Sequence, residues 1–200
     1  MIKVNNIKYF EKGKRSIVYT AYYKNKKVII KNPKSKINTI DNEAKFLKIL
    51  NKYNIGPKLI YHDENNLVCG FISGARIIDW LKISNNKAIK KNLKKIFDEC
   101  RLLDKLKIDK KELTNPYKHI LIGRNPVMID FERARFSENP KNISQFSQFL
   151  MSNKIYEILI KKGIKINNSK LINAVKKYKK SYDEKDYNSI LKAINIMEVS

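Results

Sequence analysis

The residues best suited to chemistry lie in four short stretches. An apolar run, Pro126-Val127-Met128-Ile129, ends in Asp130, and Glu132 stands two residues on. A strand that delivers a carboxylate at its tip offers an oxygen ligand to a hard cation. A second apolar run, Val28-Ile29-Ile30, ends in Lys31. Burying an ammonium is costly without a partner. Strand side chains alternate, so Ile29 and Lys31 face the same way. Glu43, on the inward face of the next expected helix, is the candidate partner. Upstream, Gly13-Lys14-Arg15-Ser16-Ile17-Val18 begins a turn whose backbone amides can bind phosphate oxygens. Finally, Lys110-Lys111-Glu112-Leu113 through Lys118-His119 mixes a carboxylate, an imidazole and three ammonium groups in one loop. Each feature alone has an ordinary reading: a strand-end lysine in solvent, a solvated glutamate, a histidine bonded to backbone. Glu132 could equally pair with Arg133 or Arg135 at the surface.

The elements that must hold these residues follow from residue type and period. The stretches 7–13, 16–23 and 27–31 are rich in β-branched and aromatic residues and read as strands, with a tight turn at Lys24-Asn25. From Asp41 to Tyr53 the period changes: Glu43, Leu47 and Leu50 share a helical face with Phe46 beside them. Gly56-Pro57 breaks the chain, and two strands flank Asp63–Asn66. A boundary is expected near Ser73-Gly74. Beyond it come a short helix in ARIIDWLKI, a long one from Asn85 to Leu106, and two short strands, KHILIG and PVMIDF, joined as a hairpin through Arg124-Asn125. Helices are expected over Ile143–Lys162, Asn168–Lys180 and Asp186–Met197. Strands first and helices after, without strict alternation, argue for an α+β fold.

This order of elements resembles the protein kinase superfamily. It looks most like its small atypical archaeal members, the RIO kinases and the kinase subunit of the KEOPS tRNA-modification complex. The resemblance covers about residues 7–150. It implies one two-lobed, kinase-like domain over 1–200. The small antiparallel-sheet lobe would span 1–73. A trimmed helical lobe would span 74–200, with a catalytic loop at 110–119 and a metal-binding strand end at 127–132. It implies ATP and magnesium (Mg2+) as cofactors and a Ser/Thr-type hydroxyl acceptor, making the chain an ATP-dependent phosphotransferase. Gly13, Lys14, Arg15, Ser16 and Val18 stand where those kinases carry the phosphate loop. Lys31 stands where a strand lysine contacts the α- and β-phosphates, and Glu43 where a helix glutamate pairs with it. Cys69 falls at the gatekeeper position beside adenine, with Phe71 in the hinge segment after it. Ile29 replaces the small residue usual over adenine, which narrows that pocket. Asp130 takes the place of the magnesium aspartate in the Asp-Phe-Gly segment.

The chain departs from the family pattern in three places. The catalytic loop is expected as His-x-Asp-Leu followed by Asn. Here Glu112 falls at the Asp position and His119 at the Asn position, with a loop two residues longer between them. Glu112 still offers a carboxylate to orient an acceptor hydroxyl or take its proton. His119 could ligate the metal or contact a phosphate, and Lys118 or Lys111 could neutralise the γ-phosphate. Imidazole suits magnesium less well than oxygen does. Glu132 replaces the Gly of Asp-Phe-Gly, which favours one backbone conformation. The segment from Asp130 to Asn142 is too short for a long activation loop, and no Ala-Pro-Glu follows. Aminoglycoside- or choline-type phosphotransferases fit less well, since their helical lobe is larger and carries an acidic acceptor pocket. An alternative is a nucleotide-binding pseudokinase.

Bulk composition sets the outer limits. The 200 residues are 42% hydrophobic, enough to bury a core. Lys and Arg outnumber acids 43 to 19, giving a net charge of +24. That field attracts polyanions, so RNA or ribosome contact is a further alternative, although the Lys-, Asn- and Ile-rich composition also fits an AT-rich coding bias. Cys69 and Cys100 lack neighbouring ligands and read as small buried residues in a reducing compartment. No signal-peptide core or membrane-spanning run is present in the sequence, and a cytoplasmic location is expected.

Overall fold

A computed structural model describes residues 2–34 and 39–196. In chain order the elements are β1 (Asn5–Lys12), β2 (Ser16–Tyr23), β3 (Lys26–Pro33), α1 (Thr39–Leu50), β4 (Leu59–His62) and β5 (Leu67–Gly70). Then follow β6 (Ala75–Arg76), α2 (Ile77–Ile83), α3 (Asn86–Lys105), β7 (Ile108–Asp109), β8 (Ile120–Ile122), β9 (Pro126–Met128) and β10 (Arg135–Phe136). The last four are α4 (Asn142–Met151), α5 (Asn153–Lys161), α6 (Asn168–Ser181) and α7 (Glu184–Ala193). The fold is α+β, with a small antiparallel sheet and seven α-helices among the described residues.

The chain divides into two compact units, Met1–Ser73 with Val127–Ala134, and Gly74–Pro126 with Arg135–Ser200. The first holds a five-stranded sheet in the order β1-β2-β3-β5-β4. Lys24 and Asn25 both adopt left-handed backbone, φ 47° and 60°, at the β2–β3 turn. That geometry matches the twist of a tight hairpin. One sheet face buries Ala21, Val28, Ile30 and Val68, with Tyr19, Tyr23 and Tyr61 packed against them. Helix α1 buries Glu43, Phe46, Leu47 and Leu50, the face its sequence period marks out.

Val127–Ala134 belongs with this first unit, not with the helical one as the sequence reading had it. Side-chain bonds explain why. Asn42 on α1 donates to the carbonyls of Glu132 and Ala134, both at 2.9 Å. Glu43 accepts from the Phe131 amide, and Arg15 bonds Glu132.

The second unit is mostly helical. Ile89, Leu93, Ile96, Phe97, Cys100 and Leu103 form the buried stripe of α3. Phe97 meets Phe146 of α4 edge-on at 5.0 Å. Asn85, Asn167 and Asp183 cap α3, α6 and α7 by accepting from backbone amides. Gly74 lies against β8: a Cβ there would come 2.7 Å from the Ile122 carbonyl carbon, so no side chain fits.

The expected helix over Ile143–Lys162 is two helices, α4 and α5, broken at Ser152. The Ser152 hydroxyl bonds the Phe149 carbonyl at 2.7 Å, a local alternative to the helical ladder. Ser152 is itself extended, and its carbonyl accepts from Ile155 and Tyr156 to start α5. The last helix ends at Ala193, and the expected Met197 end lies outside the described residues. Strands β7 and β10, which pair through Arg135↔Asp109 and Phe136↔Ile108, were not expected.

Candidate active site

The first unit builds its cluster from the sheet upward. Val18 pairs with Lys31 across β2–β3, and Ile29 with Cys69 across β3–β5. Directly paired residues of antiparallel strands share a face. Val18, Ile29, Lys31 and Cys69 therefore line the face opposite the Ala21–Val28–Ile30 core. Cys69 is buried, and burial pushes its thiol up to about 12; Glu43 adds to the shift and Lys31 opposes it. Cys69 and Cys100 are both buried, as the sequence reading expected. Phe71 lies under the Lys27 ammonium at 4.1 Å and meets Phe10 edge-on at 6.2 Å.

Lys31 lies at the centre of the cluster. Its Nζ donates to both Glu43 oxygens, at 2.9 and 2.7 Å, and lies 3.6 Å from Asp130 Oδ1. Glu43 is 2% exposed and also accepts from the Phe131 amide at 3.4 Å. Burial pulls the Lys31 ammonium down, but Glu43 and then Asp130 outweigh it and hold the group well above its ordinary value. Lys31 is therefore a permanent cation, unsuited to act as base or nucleophile. Asp130 sits at φ 63°, in the left-handed region that Asp tolerates better than most side chains.

The turn before β2 is tied to the same cluster. Lys34 donates its amide to the Arg15 carbonyl at 2.9 Å, and its Nζ to the Gly13 carbonyl. Arg15 Nη1 donates to Glu132 Oε1 at 2.9 Å. Lys14 is exposed, and Ser16 is buried at the start of β2. Glu132 thus pairs with Arg15. Burial, and then Asp130, raise its carboxyl above the ordinary value; Arg15 and Lys31 oppose that rise. Arg15 and Lys31 lie against Glu43, Asp130 and Glu132, so each of these carboxylates has a cation beside it.

Among the described residues no group of three or more His, Cys, Asp or Glu side chains is arranged to hold a metal ion alone. Asp130, 31% exposed, offers a hard oxygen donor at the cluster's edge. Magnesium is commonly held by one or two carboxylates plus substrate phosphates, so this donor set fits it when the ligand brings its own oxygens.

The second unit holds the loop. Lys111 and Glu112 are both left-handed, φ 68° and 63°. Two α4 side chains fix the loop: Asn142 accepts from the Lys110 amide at 2.9 Å, and Gln145 from the Leu113 amide at 3.1 Å. His119 Nε2 lies 3.7 Å from Glu112 Oε2, so the two residues singled out in this loop are neighbours. Lys118 is exposed at the end of a 3-10 turn, Pro116–Lys118. Lys111 bonds Asp109 at 3.1 Å, and Asp109 also meets Arg135 and Gln145. Lys110 is fully buried.

Sequence reasoning missed Asn42, Asp109, Asn142 and Gln145, which hold the site residues in place. Asn42, Asn142 and Gln145 sit in helix first turns and Asp109 on the two-residue β7; such polar positions look like ordinary capping or surface sites, and nothing in their spacing marks them.

Set against known proteins, the chain matches no family model and no curated sequence.

Proposed function

We propose that the chain is an ATP-dependent phosphotransferase with a two-lobed, protein kinase-like fold, acting on a hydroxyl acceptor as an atypical Ser/Thr kinase. The observation that carries the reading is Lys31, held by Glu43 at 2.7 Å and facing Asp130 at 3.6 Å. A permanent cation anchored by a buried helix carboxylate suits phosphate oxygens. The Gly13–Ser16 turn supplies further phosphate contacts. Val18, Ile29 and Cys69 form the apolar surface on which an adenine rests, with Phe71 beside it.

A divalent cation would be held by Asp130, with the ligand's own phosphate oxygens completing its shell. That cation, when bound, neutralises charge that develops between the β- and γ-phosphates. In the transfer, the acceptor oxygen attacks the γ-phosphorus, the bond to the β–γ bridging oxygen breaks, and ADP leaves. Glu112 takes the acceptor proton, and His119 beside it orients that carboxylate. The physical support for Glu112 is its strained, pinned backbone, which fixes a carboxylate more firmly than a solvated loop does.

The test is transfer or hydrolysis of γ-labelled ATP with magnesium. Asp130→Ala and Lys31→Met are each expected to lower turnover at least a hundredfold, and Glu112→Gln likewise. Full activity in Glu112→Gln removes Glu112 from the chemistry. ATP binding without turnover in the wild type favours the pseudokinase reading.

The net charge of +24 favours a second reading, RNA or ribosome contact through the basic surface, compatible with the first. Binding to a structureless RNA should then weaken steeply between about 50 and 200 mM salt. Affinity that does not change over that range argues against it.

A further inference from the structure

We propose that Glu132 is a positioning residue for Arg15, and that the pair presents the Arg15 guanidinium to the phosphates of the bound nucleotide. The inference rests on the nucleotide-binding reading above and assigns a role to a residue which that reading leaves without one.

Both ends of the Arg15–Glu132 bridge are fixed by backbone bonds. Asn42 holds the Glu132 carbonyl at 2.9 Å and the next carbonyl but one, of Ala134, at 2.9 Å. Lys34 holds the Arg15 carbonyl through its amide and the Gly13 carbonyl through its ammonium. The bridge spans 117 residues of sequence. It ties the turn that begins β2 to the segment just past Asp130.

The guanidinium carries five N–H donors in a rigid fork. Its bond to Glu132 uses Nη1, and the Arg15 side chain is 41% exposed. Donors remain for a second anion. Rotamer freedom that a loose arginine gives up on binding is already given up here, so phosphate capture costs less. A lysine at position 15 could satisfy one anion as a point charge but not present a fork to two.

The experiment is a double-mutant cycle on affinity for a non-hydrolysable ATP analogue with magnesium, measured by calorimetry. Wild type, Glu132→Gln, Arg15→Ala and the double variant are compared, with ligand-free melting temperatures as the folding control. Glu132→Gln is expected to weaken binding about fivefold, the scale of one partly exposed charged pair. Arg15→Ala should weaken it at least as much, and the double variant no further, because Glu132 acts through Arg15. Where Arg15→Ala lowers the melting temperature, Arg15→Lys takes its place and should also weaken binding. Unchanged or tighter binding in Glu132→Gln overturns the positioning role, as do fully additive losses. A wild type that binds no analogue overturns the nucleotide-binding reading itself, and this proposal with it.

Discussion

Lys31 shows how one residue's surroundings decide what it can do. Glu43 and Asp130 keep it charged at every working pH, so its contribution is electrostatic. Cys69, on the same face, is held in the thiol form. Its alkylation by iodoacetamide at pH 8 in the folded protein should be far slower than in urea; rapid modification of native Cys69 would show the site to be open. Glu99, on α3, is a third case. Burial first, then Asp98, push its carboxyl up to about 8, with Lys95 opposing, and its Oε2 has no hydrogen-bond partner among the described residues. The unfolded carboxyl titrates near 4.5. Its folded, protonated form therefore favours stability fully below pH 4.5, and that contribution is lost as pH rises through about 8. Glu99→Gln should stabilise the protein by about 1–3 kcal/mol at pH 9 and much less at pH 5. Denaturant melts at the two pH values measure this, and an equal effect at both would locate the charge elsewhere.

Among the elements, the short connections carry the functional geometry. Gly56 has φ 78°, and a Cβ there would come 2.8 Å from Leu47 and 3.0 Å from Phe131. Gly56→Ala should cost about 2 kcal/mol or more, through backbone strain and overpacking together. It should also weaken nucleotide binding, because Phe131 adjoins Asp130. An urea midpoint equal to wild type would mean the packing yields freely. Asn142 fixes both the catalytic-loop candidate and Asp104, whose carboxylate accepts from its amide and backbone. Asn142→Ala should cost about 2–3 kcal/mol, since it strips partners from a buried acid. The main strands and the long helix α3 were legible because alternation and period-3.6 stripes are strong, local signals. The Lys31–Glu43 pairing was legible for the same reason, because it needs only a strand end and a helix face. The break at Ser152 was not, since one side-chain bond decides it within a continuous apolar pattern. Nor was the Arg15–Glu132 bridge, which depends on distant segments meeting and carries no sequence period.

Seen whole, the molecule carries a net charge of +24, while its candidate site sets three carboxylates against Lys31 and Arg15. No helix among the described residues is long and apolar enough to cross a membrane. Asp130, the most exposed carboxylate of that cluster, is what ties the site to a cation. The most direct measurement is binding of ATP to the intact protein by calorimetry, with magnesium and with EDTA, for wild type and Asp130→Ala. The account expects wild-type binding with magnesium, at least tenfold weaker binding in EDTA, and loss of the magnesium effect in Asp130→Ala. Equal ATP affinity with and without magnesium, or a full magnesium effect surviving in Asp130→Ala, would contradict it.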